Sequence, residues 1–189
     1  MSTVDFTSEA LRYAGRLGWK VLLLAPGCKL PYISKQRGGN GVHDATSDPE
    51  QIVKWGKLCP NGNIGIACGP ASKIVVVDID PRNGGNASFA SLAAKGRVLP
   101  SAPRQRTGNG GWHYLLRADP SIGGSKGRLG AGIDLKSTGG YIVVAPSWIH
   151  ASKNGRGGTY RWHDEATTLL WCRCSELAAV RGLRPCPRS

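Results

Sequence analysis

Apolar positions in residues 7–18 recur at helical spacing through Ala10, Leu11, Ala14 and Leu17. They predict a helix capped by Thr7 or Ser8 and ended by Gly18. The run from Trp19 to Ala25, bounded by Pro26-Gly27, reads as a buried strand. Residues 26–47 are polar and contain Gly38-Gly39-Asn40-Gly41; so long a loop in a compact domain is functional or disordered. Asp48 then caps a second helix with Pro49 in its first turn, and Ile52, Val53 and Trp55 supply its apolar side. Apolar runs at 63–68 and 73–80 read as strands, and 86–95 as a short helix. From 104 to 162 the pattern is mainly strands broken by Gly-rich turns, clearest at 112–117, 132–136 and 141–145. The last two are expected to pair as a hairpin through Ser137-Thr138-Gly139-Gly140. A final helix is expected over 174–181, before a tail of the type that frays. There is no internal repeat. Helices come early and strands late, so the class is α+β. The expected division is a main domain over 1–165 and a short C-terminal helix with its tail over 166–189.

Composition adds two constraints. Hydrophobic residues make up 40% and charged residues 20% of the 189, which suits a folded core and not a disordered chain. The net charge is +13, from 25 Lys+Arg against 12 Asp+Glu. Such a surface attracts polyanions, nucleic acid or phosphorylated ligands above all, although charge alone also fits a basic protein with no such partner. The six cysteines, at 28, 59, 68, 172, 174 and 186, show no C-x-x-C spacing. No apolar stretch approaches the roughly 18 residues of a membrane span, and no signal-peptide pattern opens the chain. A cytoplasmic protein with reduced thiols and no membrane partner is expected.

The candidate chemistry lies first in Lys73-Ile74-Val75-Val76-Val77-Asp78-Ile79-Asp80. Side chains alternate along a strand, so Val76, Asp78 and Asp80 share one face. Two carboxylates there repel unless a cation lies between them, and hard oxygen donors suit Mg²⁺ or Mn²⁺. A strand end that merely solvates two charges and starts the turn at the Pro81 break fits D-x-D equally. Asp134, in Gly132-Ile133-Asp134-Leu135-Lys136, is a candidate third ligand beside Lys136, with a hairpin-edge charge as the alternative. Three carboxylates and a cation are what phosphoryl or nucleotidyl transfer requires.

Thr107-Gly108-Asn109-Gly110-Gly111 leads into Trp112-His113-Tyr114-Leu115-Leu116-Arg117. Glycines let backbone N–H groups approach a phosphate, and His113, Leu115 and Arg117 share a strand face. A strand histidine is also often a satisfied structural group. No G-K-[ST] and no G-x-G-x-x-G occurs. Cys172, Cys174 and Cys186 with His163 make four zinc-capable groups, but their spacing matches no standard structural zinc pattern; buried or idle thiols are the simpler reading.

Taken in order, these motifs resemble the archaeo-eukaryotic primase superfamily, and within it the N-terminal domain of bifunctional DNA primase–polymerases. The acidic strand is Asp78-Ile79-Asp80, the small-x-His element Gly111-Trp112-His113 and the later acidic strand Asp134. The likeness extends to Gly18-Trp19-Lys20-Val21, Pro26-Gly27-Cys28-Lys29-Leu30-Pro31, Asp44-Ala45-Thr46-Ser47-Asp48, Asn63-Ile64-Gly65-Ile66-Ala67, and the segment from Gly139 to Ser147. It covers about 9 to about 162. It implies an α+β, primase-like fold, with a mixed β-sheet core related to the RNA-recognition motif and an N-terminal α/β unit. It further implies that Asp78, Asp80 and Asp134 bind two divalent ions, Mg²⁺ or Mn²⁺, and that His113 contacts the phosphates of the incoming nucleotide. Lys29 and Lys136 match basic positions for nucleotide or template; Arg117 and Thr107 are weaker candidates. The implied partners are a single-stranded DNA template, a primer strand and dNTP or NTP; the helicase or accessory domain that many relatives carry is expected either from partner proteins or from a longer chain of which this is a fragment. Alternatives are a non-catalytic nucleotide- or nucleic-acid-binding module of the same descent, and a phosphatase of the haloacid dehalogenase type. The latter expects Thr or Val where Arg82 stands.

Overall fold

The computed structural model describes residues 5–99, 102–117, 124, 126–127, 129–153 and 155–163. The helix expected at 174–181, the tail, and Cys172, Cys174 and Cys186 lie outside these residues.

Helix α1 spans Phe6–Leu17, with Phe6, Ala10, Tyr13 and Ala14 buried along one stripe. It starts earlier than expected because Asp5, not Thr7 or Ser8, is the cap, accepting from the Thr7 N–H at 3.2 Å. The short carboxylate reaches the unpaired N–H groups of the first turn from outside it, and this places Phe6 in the buried stripe. Gly18 ends the helix at φ +66°, as its lack of a Cβ permits. Helix α2 covers Pro49–Leu58 and is capped by Asp48 as expected. It crosses α1 closely at Gly56, where a Cβ would stand 1.8 Å from Thr7 Oγ1. Helix α3 is Gly85–Ala94.

The strands are β1 Val21–Leu24, β2 Asn63–Ala67, β3 Ile74–Ile79, β4 Arg104–Arg106, β5 Trp112–Arg117, β6 Ile133–Lys136, β7 Tyr141–Val143, β8 Trp148–Ile149, β9 Gly158–Thr159 and β10 Arg161–Trp162. They form a three-stranded sheet in the order β1-β2-β7, a five-stranded sheet in the order β10-β4-β5-β3-β6, and the pair β8-β9. The α+β class holds, and every strand pairing among the described residues is antiparallel.

The expected hairpin of 132–136 with 141–145 does not form. β6 pairs with β3, whereas β7 crosses to the other sheet and pairs with β2, Gly65 opposite Val143. Burial explains the split. In β6 only alternate residues are buried, as at the edge of a sheet with one wet face. Around β7 both faces are buried: Ile142 and Val144 enter one apolar cluster, Val143 and Ala145 another. Such a strand must lie inside a layered structure. The turn between them packs against Gly69, where a Cβ would meet the Thr138 backbone at 2.7 Å.

One core joins α1, α2 and the three-stranded sheet to the Ile74, Val76 and Leu115 side of the five-stranded sheet. A second lies on the opposite face of that sheet, where Val75, Val77, Tyr114 and Leu116 meet Phe89 and Leu92 of α3. The loop over 26–47 is built from local structure: 3₁₀ turns at Lys35–Arg37 and Gly41–Asp44, and backbone bridges Leu24–Pro31 and Val21–Thr46. No helix among the described residues is long and apolar enough to cross a membrane.

Candidate active site at the mouth of the five-stranded sheet

One face of β3 changes character along its length. Ile74 and Val76 are buried in the core, and two residues later the same face presents Asp78. Its cross-strand partners are His113 on β5 and Asp134 on β6. Directly opposed residues in an antiparallel sheet project to the same side, so the three side chains form a row. His113 Nε2 lies 3.5 Å from Asp78 Oδ1. Lys136 Nζ lies 2.8 Å from Asp134 Oδ2 and 3.8 Å from Asp78 Oδ2, between the two carboxylates. Burial alone would raise the Asp78 pKa; its hydrogen bond with His113 and the charges of Lys136 and Lys29 outweigh it, and the net shift is downward. Asp134 Oδ1 accepts from the Gly127 N–H at 3.1 Å.

Asp80 departs from the expected alternation. β3 ends at Ile79, and Asp80 caps a 3₁₀ turn over Pro81–Asn83 instead of extending the row. Pro81 favours that turn because its fixed φ suits a first helical position. The Asp80 carboxylate accepts from the Arg82 N–H at 3.0 Å and from Asn83 Nδ2 at 3.1 Å. Arg82 also grips it in bidentate fashion, Nε at 2.9 Å and Nη2 at 2.6 Å. That hydrogen bonding holds the Asp80 carboxyl below the usual carboxylate range. Among the described residues, no three His, Cys, Asp or Glu side chains converge closely enough to hold a metal ion.

The donor chemistry nonetheless suits a hard divalent ion. Asp78 and Asp134 offer oxygens from adjacent strands, and a protein cation, the Lys136 ammonium, already lies between them. Both Asp80 oxygens already accept from Arg82 or Asn83.

Lys29 is drawn to this site from the 26–47 loop. Tyr141 Oη donates to its carbonyl at 2.8 Å, and Asn63 Nδ2 donates to the neighbouring Cys28 carbonyl at 2.9 Å. Desolvation lowers the Lys29 pKa, partly offset by Asp78 and Asp80, whose charges it feels along with those of Arg82 and Lys136. Thr107 closes the glycine-rich turn. Its N–H donates to the Gly111 carbonyl, and its hydroxyl accepts from the Gly111 N–H at 2.9 Å. The Gly110 N–H also donates within the turn, to the Thr107 carbonyl. The glycines there serve close packing as well: a Cβ on Gly111 would stand 2.3 Å from the Ile79 carbonyl oxygen. Arg117 is not brought to the carboxylates. It lies opposite Ile74, at the other end of β3 from Asp78.

Three contributors escaped the sequence reading. Arg82 figured only as a mismatch to another motif, yet it controls Asp80. Tyr160 is buried with its ring 6.0 Å from that of His113, and burial pushes its pKa up. Gln105, between two arginines in β4, is fully buried behind His113. The one local clue to Arg82 is its place two residues after a capping aspartate.

A family model described as bifunctional DNA primase/polymerase, N-terminal, matches residues 10–188. A search of curated proteins gives no significant match.

Proposed function

The chain belongs to the bifunctional DNA primase/polymerase N-terminal family, and from that premise we propose that it is a template-directed nucleotidyltransferase acting on single-stranded DNA. The observation that supports this reading is the row of Asp134, Asp78 and His113 across β6, β3 and β5, with Lys136 between the carboxylates. A row of this kind offers a cation site and a phosphate site side by side. The hydroxyl of a primer 3′ end, or of an initiating nucleotide, attacks the α-phosphate of a dNTP or NTP. The new P–O bond forms as the bond to pyrophosphate breaks. His113 presents Nε2 to the triphosphate, and Lys136 and Lys29 neutralise part of its charge. Asp78 and Asp134, with Asp80 once Arg82 lets go, would hold two divalent ions, Mg²⁺ or Mn²⁺. Such ions lower the pKa of the attacking hydroxyl and neutralise the leaving pyrophosphate. The net charge of +13 suits a surface that holds template and primer through their backbones. The setting we propose is cytoplasmic replication of a mobile element, in concert with a helicase or accessory domain.

One observation favours a second reading, a nucleotide- or nucleic-acid-binding module without catalysis. All three carboxylates contact basic side chains, and no three acidic or imidazole groups converge among the described residues. A nucleotide-incorporation assay on single-stranded DNA, with Mg²⁺ or Mn²⁺ and with or without a pre-made primer, separates the two. Incorporation supports the enzyme and shows whether it initiates or only extends. DNA binding without incorporation supports the module.

A further inference from the structure

We infer that Gln105 is a positioning residue that fixes which ring nitrogen of His113 carries the hydrogen. Gln105 is fully buried, on β4 directly opposite His113. Its amide makes three contacts. Oε1 accepts from the Ala145 N–H at 3.0 Å, Nε2 donates to the Val143 carbonyl at 2.7 Å, and Nε2 lies 2.9 Å from His113 Nδ1.

The two backbone contacts decide the orientation of the amide. An N–H can only donate and a carbonyl can only accept, so the Gln105 oxygen must face Ala145 and the nitrogen Val143. Flipping the amide would oppose donor to donor at Ala145 and acceptor to acceptor at Val143, in a buried site where unmet polar groups are costly. With one amide hydrogen on Val143, the other points to His113 Nδ1. That nitrogen must therefore offer its lone pair, since a hydrogen there would meet an N–H donor. The hydrogen of the neutral ring then sits on Nε2, the atom 3.5 Å from Asp78 Oδ1.

The arrangement ties the two sheets to the site. Val143 closes β7 of the three-stranded sheet, and Ala145 follows it, whereas Gln105 and His113 belong to the five-stranded sheet. The backbone of one sheet thus selects the tautomer of a histidine on the other. A buried glutamine that merely bridged the sheets would satisfy Val143 and Ala145 and need no contact with Nδ1. The consequence for function rests on the proposed nucleotidyl transfer: a donor at Nε2 can hydrogen-bond a phosphate oxygen, and a bare lone pair cannot.

The test is the long-range ¹H–¹⁵N spectrum of full-length protein labelled at histidine, recorded where the rings are neutral. This spectrum distinguishes the tautomers without turnover, and Phe in place of His113 (His113→Phe) identifies its signals. The expected result is a fixed Nε2–H tautomer in the wild type and inversion to Nδ1–H in Gln105→Glu, whose carboxylate accepts where the amide donated. In Gln105→Met, which is apolar and of similar length, Asp78 alone still favours Nε2–H, so an Nδ1–H population in exchange with it should appear. Nδ1–H in the wild type, or an unaltered Nε2–H signal in folded Gln105→Met, overturns the inference even if the glutamate variant fails to fold. In the incorporation assay Gln105→Met should lose about 10- to 100-fold in kcat/KM, by analogy with partners that orient metal-bound histidines, with single-stranded DNA binding retained. If the wild type incorporates nothing, the proposed function fails, whereas the tautomer result stands or falls on its own.

Discussion

The Arg82 guanidinium embraces the Asp80 carboxylate through Nε at 2.9 Å and Nη2 at 2.6 Å. The pair is partly exposed, and pairs of that kind contribute up to about 1 kcal/mol. A divalent ion recruiting Asp80 must compete with Arg82. Arg82→Ala should therefore tighten Mn²⁺ binding by up to about fivefold. Titrating the free Mn²⁺ signal by electron paramagnetic resonance measures this directly. Weaker binding would show that Arg82 does not compete with the ion for Asp80.

Tyr13 carries a prediction about alkaline pH. Burial pushes its phenol up to about 12 from the ordinary 10, against the hydrogen bond from Trp162 Nε1, which lowers it. The folded state therefore binds this proton more tightly than the unfolded chain does. The stabilisation is complete below pH 10 and is lost as pH rises through about 12. Two pKa units correspond to roughly 3 kcal/mol. Urea unfolding at successive pH values should show Tyr13→Phe losing less stability across this window than the wild type, although it starts lower because the hydrogen bonds to Ala145 and Trp162 are gone.

Gly111 couples the glycine-rich turn to the acidic strand. A Cβ there would stand 2.3 Å from the Ile79 carbonyl oxygen and 3.1 Å from Pro81 Cδ, so Gly111→Ala must push the end of β3 away. Overpacking of this kind costs about 1–3 kcal/mol. The displaced residue lies between Asp78 and Asp80, so nucleotide incorporation should fall along with the urea midpoint. A variant of wild-type stability and activity would mean that the turn gives way instead of the strand.

Much of this was legible along the chain. The Asp48 cap, the acidic strand and the shared face of Asp134 and Lys136 follow from local spacing, because alternation and capping are local effects. Alternation shows which residues share a face. It does not show which sheet a strand joins, so the segments 132–136 and 141–145 suggested a hairpin that burial on both sides of β7 rules out. The break at Pro81, and with it the alternative that Asp80 starts the turn, was legible; that the turn brings the Arg82 side chain onto the carboxylate was not. Gln105 was beyond reach. In Arg-Gln-Arg it resembles a solvent-facing polar residue, and only the distant Val143 and Ala145 bury it.

We propose that the Asp134–Asp78–His113 row supports template-directed nucleotide addition. The most direct measurement is incorporation of a labelled dNTP opposite its complementary template base on primed single-stranded DNA with Mn²⁺, comparing wild type with Asp78→Ala. Circular dichroism verifies that both are folded. Removing the carboxylate that faces both His113 and Asp134 should lower the rate by at least about 10³-fold, as losing an ion-holding group would, while DNA binding persists. A wild type that binds the DNA and adds no nucleotide, or an Asp78→Ala variant as active as the wild type, would contradict the account.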